Sequence, residues 1–69
     1  MAWKKVGNNR WLLTVPGSGA VGQVEKLGEG NYLGSTDYSS DDFETLADAK
    51  SGTERRARLE IQKGYYEEY

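Results

Sequence analysis

Cysteine and histidine are both absent from the 69 residues. No disulfide or thiolate metal site can staple the chain, and the usual zinc ligand sets are excluded. The commonest acid–base side chain and the strongest nucleophile are missing too, which makes catalysis the least supported class. The chain therefore reads as non-enzymatic, with no cofactor and no metal. No apolar run approaches the length of a membrane span. The N-terminal Met1-Ala2-Trp3-Lys4-Lys5 lacks the apolar core of a signal peptide. The expectation is a cytoplasmic protein without membrane contact. Neither sign of charge dominates: a net charge of −2 supplies no global attraction to nucleic acid or anionic lipid.

Aromatic residues are well represented, with two Trp, five Tyr and one Phe. Each buries a large area, which offsets a low hydrophobic fraction. The length allows one small domain, marginal on its own. Chains of this size without staples often self-associate or bind a partner.

Trp3 to Val6 forms a short first strand, and Gly7-Asn8-Asn9 is a turn signal. Arg10 to Val15 is the clearest strand, with Trp11, Leu13 and Val15 alternating with Arg10, Leu12 and Thr14. Trp11, Leu13 and Val15 are assigned to the core side. Leu12 then faces the other way, in company with Trp3 or Val6, on a thinly apolar face that is a candidate interface. Pro16-Gly17-Ser18-Gly19 is a connector, with proline and then glycine in the central turn positions. Val21 to Leu27 reads as a third strand, Gly28-Glu29-Gly30-Asn31 as a turn, and Tyr32 to Thr36 as a fourth strand. Short local turns favour an antiparallel meander.

Tyr38 to Gly64 reads as the one substantial helix. Ser39 is a candidate N-cap, with Tyr38 and Phe43 as a hydrophobic staple; Asp41 with Glu44 is the competing cap. Gly64 suits a left-handed C′ position. Acids crowd the front of the segment and bases the back, as the helix dipole favours. At about 100° per residue, Phe43, Leu46, Ala47, Ala57, Ile61 and Tyr65 share one face. Lys50 lies within that stripe and is read as a lysine whose stem snorkels over the sheet edge. Gly52 falls on the far face, where a bend is expected near Ser51-Gly52. The fold class is α+β: an antiparallel three- to four-stranded meander packed against one long C-terminal helix. The segments are sheet 1–36, helix 38–64 and tail 65–69.

Gly17-Ser18-Gly19-Ala20-Val21-Gly22 matches G-x-G-x-x-G, the pattern that lets backbone approach a pyrophosphate. Too few residues precede the Gly28 breaker for a crossover helix, so the glycines read as hairpin geometry. Asp37, Asp41, Asp42, Glu44 and Asp48 lack the loop glycine and terminal glutamate of a calcium loop, and read as capping residues. Arg55, Arg56, Arg58 and Lys63 form a basic far face, but Glu54–Arg58 and Arg56–Glu60 are i,i+4 partners that neutralise one another.

In size and layout the chain resembles small accessory proteins of bacteriophages and prophages. Phe43-Glu44-Thr45-Leu46-Ala47-Asp48-Ala49-Lys50 is similar to the F-x-T-L-x-x-A-K helix start of such chains. That resemblance implies a non-enzymatic protein acting on a host component in the host cytoplasm, as inhibitors of host defence or transcription do. The meander-plus-helix order also looks like the arm-binding domains of phage integrases and the plant-type three-stranded DNA readers. It implies Trp3, Lys4, Lys5, Arg10 and Trp11 on a DNA-facing sheet, to which the third strand adds only Lys26.

The leading expectation is an interaction protein that binds a protein partner or itself, through Trp3, Leu12, Leu59, Tyr65 and Tyr66. The alternative is a nucleic-acid-binding module using Lys4, Lys5, Arg10, Arg55, Arg56 and Arg58.

Overall fold

The computed structural model describes residues 1–65. Five strands precede one helix: β1 Ala2–Lys5, β2 Arg10–Val15, β3 Gly19–Gly28, β4 Asn31–Ser35, β5 Ser40–Phe43 and α1 Leu46–Gln62. The strands form one antiparallel sheet in sequence order, and α1 lies across β3, β4 and β5. The domain is thus α+β, a meander covered on one face by a C-terminal helix.

Local turn chemistry sets the hairpins. Ser18 N–H reaches Val15 O at 3.1 Å, closing a turn with Pro16 and Gly17 at its centre. Gly17 has φ 89° there, the type II geometry that a Cβ disfavours. The register shifts between Leu13 and Thr14, where Val21 is the extra residue of a bulge.

Alternation sorts the two faces. Trp11, Leu13 and Val15 turn toward the helix, as the sequence indicates, and Leu13 and Val21 are buried against Ala57 with Trp3 and Val15 packed beside them. Val24 and Ala49 complete the fully buried apolar set among the described residues. Trp3 pairs with Leu13 and so shares the helix side; it is not on the open face with Leu12.

The largest correction concerns Tyr38 to Glu44. The helix begins at Leu46, and Ser40–Phe43 is a fifth strand paired with β4. Ser-Asp-Asp-Phe has poor strand propensity, but tertiary fit overrides it. The Phe43 ring is wedged between two glycines. A Cβ on Gly34 would stand 2.9 Å from Phe43 Cε2, and one on Gly52 would stand 2.5 Å from Phe43 Cε1 and Cζ. Gly52 is therefore a socket for the ring, and α1 runs through it unbroken. Thr45, not Ser39 or Asp41, is the N-cap, and its hydroxyl accepts from Asp48 N–H at 3.1 Å.

The buried helix stripe is Ala49, Thr53, Ala57 and Glu60. Of the expected stripe, Ala57 is buried and Leu46 and Ile61 are half-buried, but Ala47 is exposed and Phe43 and Tyr65 lie outside the helix. Asp48 faces the positive end of the dipole, whereas the last turn holds no base. Gly64 has φ 81°. Its N–H bonds Ile61 O at 3.0 Å, and Tyr65 N–H bonds Glu60 O at 3.0 Å. These two bonds define a Schellman motif.

Candidate protein-interaction site

The β4–β5 hairpin and the second half of α1 are joined by a polar network. Thr36 N–H bonds Ser39 O at 2.8 Å, closing the turn. The Thr36 hydroxyl accepts from Tyr38 N–H at 3.1 Å and Ser39 N–H at 3.2 Å. It donates to Glu60 Oε2 at 2.9 Å. Ser39 Oγ lies 3.4 Å from the same oxygen. Arg56 Nε pairs with it at 3.4 Å and donates to Ser39 Oγ at 3.2 Å. Glu60 is only 2% exposed, a burial that requires such partners.

This network fixes Arg56 at the rim of an open groove of about 390 Å³ between β5 and α1. Asp41, Asp42 and Phe43 form one wall, and Gly52, Arg55, Arg56 and Leu59 the other. Leu59 is 42% exposed, an apolar side chain at the mouth. Among the described residues β5 is the last strand of the sheet. The Thr36–Ser39 bond sets the ladder phase, so Gly34–Asp41 and Tyr32–Phe43 are the bonded pairs. The backbone groups of Ser40 and Asp42 then point away from β4, toward any chain laid along the edge.

The expected partner-binding residues do not converge. Leu59 lies in the groove, Leu12 on the open face, and Trp3 on the helix side of β1. The Tyr65 ring packs against Tyr38 at a 50° tilt, with centroids 4.8 Å apart and the Tyr38 hydroxyl donating to Tyr65 O at 3.0 Å. Tyr66 lies outside the described residues. Phe43 and Gly52, which meet across the groove, are not among the residues the sequence marks as partner contacts. Their signal was a phenylalanine placed beside helical glycine, legible only once both chain segments are folded.

The six expected nucleic-acid contacts separate as well. Lys4 and Arg10 point to the open face, and Lys5 to the helix side. Arg55 and Arg56 flank the groove, and Arg58 bonds Glu54 at 3.2 Å on the other side of α1. The sheet surface implied by the DNA-reader resemblance is likewise split, with Trp3, Lys5 and Trp11 on the covered side. Lys50 bridges that side. Its Nζ is 6.0 Å from the Trp3 ring centroid and 5.8 Å from that of Trp11, and Lys5 Nζ is also 5.8 Å from Trp11.

Among the described residues, no group of three or more acidic side chains is placed to hold a metal ion. No helix there is long and apolar enough to cross a membrane. Comparison of the chain with protein-family models, with curated proteins and with solved structures finds no match in any of the three.

Proposed function

We propose that the chain is a non-enzymatic interaction protein of the phage-accessory type, which modulates a host protein by docking an extended segment of it along β5. The observation that carries this reading is the exposed Leu59 beside the free edge of β5. An incoming strand gains main-chain hydrogen bonds from Ser40 and Asp42, while alternate side chains enter the groove over Phe43 and Leu59. Arg55 and Arg56 favour an acidic residue in that segment, and Asp41 and Asp42 a basic one. The host cytoplasm is the compartment that fits such a partner.

Selection of displayed linear peptides against the wild type and against Leu59→Asp tests the reading. Peptides that bind the wild type and weaken by about tenfold or more on Leu59→Asp are the expected result. Selected peptides indifferent to Leu59→Asp contradict it. A second reading, nucleic-acid binding, draws on the convergence of Lys5 and Lys50 at Trp11. It requires tryptophan fluorescence changes with single-stranded DNA that fall steeply with added salt.

A further inference from the structure

The sheet face turned away from α1 has no covering layer among the described residues. Register places Lys4, Leu12, Gln23, Ser35 and Ser40 in one row across it. Arg10, Glu25, Leu33 and Asp42 form the neighbouring row. The face is polarised: its bases sit on β1 and β2, and Asp42 sits on β5. A hollow of about 210 Å³ opens around Gln23 and Ser35, with Leu12 at its side. Val6, just past the end of β1, and Leu27, at the bulge near the end of β3, are 39% and 53% exposed.

We propose that this face docks on the same face of a second copy, about a two-fold axis parallel to β3. Such an axis lays β1 of one copy over β5 of the other and β2 over β4, with rows kept level. Leu12 of each copy then meets Ser35 of the second copy and fills the hollow beside it. Asp42 of the second copy falls over the Val6 position, which lies opposite Arg10, and has Lys4 and Arg10 as its neighbours. The Arg10 stem covers Leu33 of the second copy. The flanks of the face are thus complementary in charge across the axis, base of one copy to acid of the other, as an isologous contact requires. Glu25 lies near the axis and faces its own symmetry mate, with Arg10 opposite it in register within each copy. Edge-to-edge pairing is disfavoured by comparison. Joining two β1 edges brings Lys4 and Lys5 against their copies, and joining two β5 edges does the same with Asp41 and Asp42.

Five strands about 4.8 Å apart and about 17 Å long give a contact well below the standard size for a stable dimer. Association is therefore weak and visible only in a concentration series. The inference stands apart from the β5 groove, which remains open in this dimer.

Sedimentation equilibrium at low salt, up to about millimolar protein, tests it. The expected result is a monomer–dimer equilibrium that weakens by about tenfold or more with Leu12→Gln and with Asp42→Lys. Combining Lys4→Asp with Asp42→Lys restores association, and Leu59→Asp leaves it unchanged. Circular dichroism confirms that each variant is folded. A wild type that stays monomeric throughout overturns the inference. So does a dimer indifferent to Leu12→Gln and Asp42→Lys, or one broken by Leu59→Asp. The peptide selection above reads the groove separately, so the two failures are distinguishable.

Discussion

The Thr36 hydroxyl donates to Glu60 Oε2 at 2.9 Å across 24 residues of chain. That bond ties the β4–β5 hairpin to the far half of the helix and holds both walls of the groove at a fixed spacing. Thr36→Val keeps the shape and removes the donor, together with the acceptor for two backbone N–H groups. The expected loss is about 1.5–3 kcal/mol, typical of a bond to a charged group. Urea unfolding with an unchanged slope reads it. A loss below about 0.5 kcal/mol contradicts the role given to this bond.

Gly52→Ala has an inverted sign. In an ordinary helix interior the change stabilises by about 1 kcal/mol. Here the new Cβ meets the Phe43 ring, so the melting temperature falls. Gly52→Ala in a Phe43→Leu background costs less than in the wild type, because the clash is gone. A stabilised single variant contradicts the socket.

Those two contacts also mark what the sequence made legible and what it hid. β2, the Pro16-Gly17 turn and the Gly64 cap follow from local chemistry and were all readable. The segment from Tyr38 to Phe43 was not, because serine and aspartate before an apolar run are also the signature of a helix start. Only the fit of Phe43 between Gly34 and Gly52 makes it a strand, and a glycine that serves as a hole looks locally like one that serves as a hinge. Thr45 with Asp48 carried the true capping spacing. Leu59 stood out as an apolar residue within a charged face. Glu60 did not, because its i,i+4 pairing with Arg56 explains it without burial.

Thr53 is 3% exposed, and its Oγ1 has no hydrogen-bond partner among the described residues. Thr53→Val removes an unsatisfied polar atom at nearly constant volume. Stability is expected to hold or to rise by up to about 1 kcal/mol. A loss of more than about 1 kcal/mol in thermal unfolding contradicts the assignment of this hydroxyl as unbonded.

Gly64→Ala forces a Cβ into the left-handed region at the helix end. The expected cost is about 1 kcal/mol, accompanied by faster amide exchange at Gly64 and Tyr65, whose N–H groups close the motif. Unchanged stability and exchange contradict the capping geometry.

The β5 edge and the adjoining groove are the proposed landing place of the partner. The most direct measurement is amide exchange and chemical-shift mapping on isotope-labelled protein, with a peptide selected on the wild type. New protection is expected at the Ser40 and Asp42 amides, with the largest shifts at Phe43 and from Arg55 to Leu59. Perturbations confined to the open sheet face or to the Lys5–Trp11–Lys50 cluster, with Ser40 and Asp42 exchanging as before, contradict it.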